Sequence, residues 1–187
     1  MAKVYVFLAN GFEDVEALIP VDVLRRGGVE VVTVSVTGSQ MVESSHGVKM
    51  VADALFEDVD LSDADLLMLP GGMPGASNLN SHEGVREALL AQNRAGRRVA
   101  AICAAPLVLG GLGLLRGRRA TCYPGFEQTL EGATYTADLC TVDGNVTTGE
   151  GPAAAFPFAY ALLAQLTDEA TSAQVAEGMR YKHLMAR

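Results

Sequence analysis

Short apolar-rich runs at residues 4–9, 29–36, 64–69 and 98–102 alternate with segments of helical period, and this alternation narrows the available folds more than any other feature of the chain. Val4-Tyr5-Val6-Phe7-Leu8-Ala9 has almost no polar face and is cut off at once by Asn10-Gly11, as expected of a strand covered on both sides. Behind it Val15, Ala17, Leu18, Val21, Val23 and Leu24 keep a helical period. Glu13 and Asp14 lead that segment, Arg25 and Arg26 close it, and Gly27-Gly28 stop it, a charge order that suits the helix dipole. Parallel strands need long crossovers, and helices laid on the sheet supply them, so the pattern predicts an α/β sandwich with a largely parallel sheet. A length of 187 residues fits one domain over 1–187, and no repeat, linker or low-complexity segment divides it.

Other elements follow from local signals. Weak alternation around Gly47 over 41–52 predicts a small hairpin or strand-rich excursion. Ser81 reads as the N-cap of a helix running through Leu89, Leu90 and Arg94 to Gly96. Asp143-Gly144-Asn145 between 139–142 and 146–148 is a hairpin signal. Pro152 opens an Ala-rich helix reaching Leu166, and 169–179 reads as a last amphipathic helix.

Composition excludes several classes. With 49% hydrophobic and 19% charged residues the chain can bury a large core without disulfide staples. Its 14 basic against 22 acidic residues give a net charge of −8, which argues against nucleic acid or an anionic membrane as the main partner. Cys103, Cys122 and Cys140 form no C-x-x-C pair, and an odd count reads as a reduced, cytoplasmic chain. The N-terminal apolar run is too short for a signal sequence, and none elsewhere is long enough to cross a bilayer. His46, His82 and His183 lack metal-ligand spacing and read as surface or cap residues, so no metal site is expected.

In open parallel sheets ligands bind beyond the carboxyl ends of the strands, where this sequence places residues 11–16, 70–75 and 103–106. Ile102-Cys103-Ala104-Ala105-Pro106 is an abrupt strand-to-helix switch whose small alanines allow a strained elbow to hold a nucleophile out. A helix N-terminus favours thiolate, so Cys103 is expected to have a depressed pKa; the alternative is a buried, inert cysteine, the role given to Cys122 and Cys140. Glu13-Asp14-Val15-Glu16 is ordinary decoration for a helix start, but Glu16 lies opposite the elbow and is therefore an acid/base candidate. Gly71-Gly72 is either a plain turn or the place where the Gly72 amide joins that of Ala104 as an oxyanion hole.

Together, Asn10-Gly11-Phe12-Glu13-Asp14-Val15-Glu16, Leu69-Pro70-Gly71-Gly72-Met73-Pro74-Gly75-Ala76 and Ala100-Ala101-Ile102-Cys103-Ala104-Ala105-Pro106 resemble the ThiJ/PfpI family, the YajL-like branch most closely. The likeness continues through Val21-Asp22-Val23-Leu24-Arg25-Arg26-Gly27-Gly28 and Gly151-Pro152. The resemblance implies a flavodoxin-like three-layer sandwich related to class I glutamine amidotransferases, a homodimer, no cofactor and a nucleophilic Cys103. It also implies a protonated Glu16 hydrogen-bonded to the sulfur, with the amides of Gly72 and Ala104 lining the pocket. Family activities include glutathione-independent conversion of methylglyoxal to lactate, deglycation, redox-responsive chaperoning and, in the PfpI branch, proteolysis. The leading expectation is a cysteine-dependent enzyme acting on small α-oxoaldehydes. A redox sensor or chaperone using oxidation of Cys103 is the alternative, and a cysteine protease comes third. Tyr123 stands where several members carry His before Pro, which disfavours a Cys-His dyad. It serves instead as a substrate contact or a packing aromatic. Glu150 stands where relatives often have Arg or another polar residue, and His46, a second possible substrate contact, falls near a family Arg. Both changes weaken selection of anions through arginine.

Overall fold

The computed structural model describes residues 1–186. In chain order its strands and helices are β1 (Lys3–Leu8), α1 (Asp14–Arg26), β2 (Glu30–Ser35), β3 (Met41–Glu43), β4 (Lys49–Val51), β5 (Ala54–Leu55) and β6 (Leu66–Leu69). Then come α2 (Gly75–Ser81), α3 (Glu83–Arg94), β7 (Arg98–Ile102), α4 (Pro106–Gly111), β8 (Arg119–Ala120) and β9 (Thr134–Tyr135). The chain closes with β10 (Cys140–Asp143), β11 (Val146–Gly149), α5 (Ala155–Leu166), α6 (Glu169–Gly178) and α7 (Tyr181–Met185).

A seven-stranded sheet runs in the order β10-β11-β7-β6-β1-β2-β5. Every neighbouring pair is parallel except the β10–β11 hairpin, so the expected mostly parallel α/β sandwich is present. The sheet interior explains the unbroken apolar runs: Val4 to Leu8 and all of β6 are buried. From β1 the chain steps one way to β2, whereas from β6 it steps the other way to β7. Right-handed crossovers therefore put α1 on one face and α2 and α3 on the opposite one. α5 and α6 join the α1 layer, and α4 packs with α2. Between β1 and β6 the connections diverge, which opens the crevice where ligands bind in such sheets.

Local chemistry sets the boundaries. Gly27 caps α1, and a Cβ there would run into Leu163, so the glycine permits close packing of α1 on α5. The segment 41–52 forms an antiparallel hairpin, β3 with β4, pairing Met41 with Val51 and Glu43 with Lys49. Residues 139–149 form the second expected hairpin. Before α5 the turn at 152–154 is a tighter 3₁₀ segment. One expectation is corrected. The cap of α3 is His82, whose Nδ1 accepts from the Val85 N–H at 3.2 Å, while Ser81 ends α2 and its hydroxyl donates to the Ser77 carbonyl. The break falls one residue later because 75–81 is itself helical. The short parallel pairing of β8 with β9 carries no sequence signal of its own. No helix among the described residues is long and apolar enough to cross a membrane.

Candidate active site

β7 delivers its last residue, Ile102, to the sheet edge, and Cys103 turns the chain with φ at 65°. Among the described residues only Cys103, Ala137 and Arg180 take a positive φ without being glycine. A branchless side chain limits that strain to about 1–3 kcal/mol, and the surroundings enforce it. The Cys103 N–H donates to the Gly149 carbonyl at 2.9 Å, and the Cys103 carbonyl accepts from the Tyr123 N–H at 2.9 Å. Buried Ala104 and Ala105 follow, and α4 starts at Pro106. The elbow expected from sequence is thus present, clamped between β11 and the loop after β8.

Glu16 lies in the first turn of α1 with its side chain entirely buried. A closed ring of hydrogen bonds holds it. The Glu13 N–H donates to the Gly71 carbonyl at 2.9 Å, the Gly71 N–H to Glu16 Oε2 at 3.0 Å, and the Glu16 N–H back to Glu13 Oε2 at 2.8 Å. Glu16 Oε1 is buried without a hydrogen-bond partner, an arrangement expensive enough to call for an explanation. Gly71 admits this geometry because a Cβ there would lie 2.6 Å from Glu16 Oε2 and 2.7 Å from Cys103 Cβ. Gly71→Ala is therefore expected to cost about 1–3 kcal/mol through overpacking. It should also displace the carboxyl from the thiol, measurable as lowered Tm together with altered Cys103 alkylation. An unchanged protein on both counts would contradict the close approach.

The two side chains titrate as a unit. Burial first, and then the Glu13 charge, push Glu16 up to about 7, against the opposing pull of Cys103 and the Gly71 amide. Burial first, and then the Glu16 charge, push the Cys103 thiol up to about 12, opposed by the amides of Gly72 and Ala104. The expectation of a depressed thiol pKa is thus overturned. α4 is only six residues long and begins three residues beyond the sulfur, so its dipole is too weak and too distant to offset desolvation beside a carboxylate. The pair gives up its first proton near neutrality and holds the second far above it.

Gly72 and Ala104 are where the sequence placed them, with amides directed at the sulfur. Gly72 has φ at 84°, and a Cβ would collide with the Glu13 N–H and the Gly11 carbonyl. Tyr123 is nearly half exposed and faces the Gly151 backbone across a shallow cleft. His46 does not reach the elbow through a hydrogen bond; its Nδ1 pairs with Asp14 Oδ2 at 2.7 Å and with the Ser45 hydroxyl, and Asp14 raises its pKa. Glu13, Asp14 and His46 have ligand-type atoms within 4.8 Å of one another. Glu13 is occupied in capping α1 and Asp14 in holding His46. Cys122 is wholly buried and Cys140 partly so, both raised by burial, as small packing residues would be. The sequence reading missed Glu13 and Gly71 as supports of Glu16. The signal was present in the three-residue spacing from Glu13 to Glu16, which is that of a cap side chain to the amide it accepts from.

The fold has close counterparts in known proteins. A DJ-1 superfamily protein from Salmonella typhimurium, solved as a cysteine-to-alanine variant, superposes with a TM-score of 0.91 at 35% identity, covering 96% of this chain and 98% of that one. Oxidized Toxoplasma gondii DJ-1 gives 0.92 at 34% identity, with the same coverage. In sequence, protein dj-1beta of Drosophila melanogaster is 35% identical over 93% of this chain and 94% of its own length. A Caenorhabditis elegans relative, named a glutathione-independent glyoxalase, is 33% identical over 82% of each chain. DJ-1 homolog B of Arabidopsis thaliana is 41% identical over 93% of this chain, which spans only about two fifths of the length of the two Arabidopsis relatives. The DJ-1/PfpI family pattern matches residues 2–165, a span that contains the elbow, the buried glutamate and the glycine loop between them. By that match, and by a relative 35% identical over 93% of its length, the chain belongs to the DJ-1/PfpI family.

Proposed function

We propose that this protein is a cofactor-free, glutathione-independent enzyme that converts α-oxoaldehydes such as methylglyoxal to 2-hydroxy acids through Cys103 and Glu16. One observation carries the reading: a buried carboxyl oxygen without a hydrogen-bond partner sits beside a thiol held on a strained elbow. The glyoxalase name of the Caenorhabditis elegans relative supports the same reaction class.

The Glu16 carboxylate takes the thiol proton as sulfur bonds to the aldehyde carbon, and the amides of Gly72 and Ala104 face the oxygen that gains charge. Glu16 returns that proton to the oxygen, giving a hemithioacetal. It next removes the hydrogen from the former aldehyde carbon, leaving an enediolate, and delivers a proton to the neighbouring carbon, while the hydroxyl proton passes from the first oxygen to the second, so that the product is a thioester of the hydroxy acid. Water then cleaves the thioester, releasing lactate and restoring the thiol. The sequence is redox-neutral overall. A carboxyl that titrates near 7 suits both directions of proton transfer. The test is lactate formation from methylglyoxal in the absence of glutathione, one lactate for each methylglyoxal consumed. Consumption without lactate rejects the reading, because any thiol adds reversibly to the aldehyde.

A second reading shares these residues. Peroxide oxidises Cys103 to sulfenate and a second equivalent takes it to sulfinate, each releasing water, and protonated Glu16 donates to a sulfinate oxygen. The solved oxidized form of Toxoplasma gondii DJ-1 supports it.

We also propose that the working unit is a homodimer. Val15 and Leu18 on α1 and Met41, Val48 and Val51 on the β3–β4 hairpin are exposed apolar residues of the kind a second copy would cover. Sedimentation at micromolar concentration should give twice the 19.6 kDa chain mass, and a clean single-chain mass would contradict it.

A further inference from the structure

A cleft of about 230 Å³ opens between Tyr123, Pro124, Glu150, Gly151 and Pro152. Both of its walls are tied to the elbow. Tyr123 donates its N–H to the Cys103 carbonyl, and Glu150 directly follows Gly149, whose carbonyl accepts from the Cys103 N–H. The Tyr123 ring closes one side, since a Cβ on Gly151 would meet it at 3.0 Å. The volume suits a substituent about the size of one ring or a short chain rather than a drug-sized ligand.

Charge distinguishes this cleft. Among the described residues Glu150 is its only carboxylate, and neither Lys nor Arg lines it. Its backbone is fixed by a bond to the Leu139 carbonyl, yet among the described residues its carboxylate has no hydrogen bond or ion pair. Burial first, and then nearby charges that include Glu127 and Glu150, push the Tyr135 phenol up, which places a second carboxylate in the neighbourhood of the cleft. An uncompensated carboxylate against proline, alanine and aromatic surface at the mouth of a solvent-open cleft acts on a charge that approaches it, with a strength that solvent and salt reduce.

We infer that Glu150 is a specificity-determining residue that makes the cleft a charge filter, admitting α-oxoaldehydes with neutral or cationic substituents and repelling those that carry a carboxylate. The inference rests on Cys103 as the nucleophile of the proposed reaction and adds which substrates reach it. In the inferred pose the substituent on the carbonyl lies in the cleft beside the elbow, whose backbone is bonded to both walls, so Glu150 acts on binding and not on the bonds being made.

Three methanethiosulfonate reagents test the filter without needing turnover: methyl, trimethylammonioethyl and sulfonatoethyl. In each the Cys103 sulfur attacks the sulfenyl sulfur, forms a mixed disulfide and expels methanesulfinate. Peptide mass spectrometry gives the rate at Cys103, normalised to a free thiol in the same buffer. The cation-to-anion rate ratio should fall about three- to tenfold in Glu150→Gln and fall further in Glu150→Lys, with added salt eroding the wild-type preference. The Glu150 side chain makes no hydrogen bond or ion pair among the described residues, so both variants should melt as the wild type does. A ratio that is the same in all three proteins overturns the filter, because Glu16 is present in each.

A second arm compares phenylglyoxal with 4-carboxyphenylglyoxal through their mandelate products. Glu150→Lys should raise kcat/KM for the carboxylated substrate relative to the neutral one by tenfold or more. A shifted reagent ratio with no hydroxy acid from any protein upholds the filter and sinks the enzyme reading. Hydroxy acid production with an unshifted ratio does the reverse.

Discussion

Glu16→Gln lowers lactate formation by about a hundredfold or more while the protein stays folded. Gln keeps the length of the side chain and an oxygen able to accept from the Gly71 N–H at the 3.0 Å position of Glu16 Oε2. What it loses is the transferable proton, which the proposed route uses in both directions. The same variant has a stability signature. Glu16 keeps its proton in the fold up to about 7, against an ordinary value of 4.5. The folded state therefore holds a proton that the unfolded chain has lost, and stability falls as pH rises between those values. This contribution is fully present below about pH 4.5 and lost as pH rises through 7, roughly 3 kcal/mol in all. Denaturant unfolding of both proteins should show the wild type losing about that much relative to Glu16→Gln across the window. Parallel pH curves, with unchanged turnover, would assign Glu16 to the helix and not to the chemistry. Cys103 is shifted in the same sense, but its window opens above the ordinary thiol value of 9 and leaves this interval clear.

Much of this arrangement was legible in the sequence because it depends on local rules. The apolar runs at 4–9 and 64–69 read as strands covered on two faces, and the small residues after Cys103 suited a sharp turn, although they left a buried, inert cysteine open as the alternative. Glu16 was less secure. Its acidic neighbours resemble any helix start, and its role emerges only when the parallel pairing of β1 with β6 brings Gly71 onto its carboxyl. The titration of Cys103 was misjudged for a related reason: a dipole can be read along the chain, whereas burial against a carboxylate comes from residues 87 positions away. His46 shows the same limit, since its partner Asp14 lies on another element and spends the ring on an ion pair. The cap at His82 was missed because α2 has no strong start signal, so the helix break appeared one residue early.

Cys103→Ala should have the largest effect of any single change. The hydroxy acid route runs through carbon–sulfur bonds, and removing the nucleophile of a covalent mechanism costs on the order of 10⁴-fold or more. Alanine also suits the site physically. It is smaller than Cys at an 8% exposed position, and its one-carbon side chain meets the same φ of 65° without added bulk. Loss of activity in this variant therefore reports chemistry rather than folding, as an unchanged melting transition should verify. Lactate formed from methylglyoxal without glutathione, measured side by side for wild type and Cys103→Ala, tests the central claim most directly. The expected result is lactate matching methylglyoxal consumed by the wild type and none above the buffer rate from the variant; equal lactate from both would contradict a covalent role for Cys103.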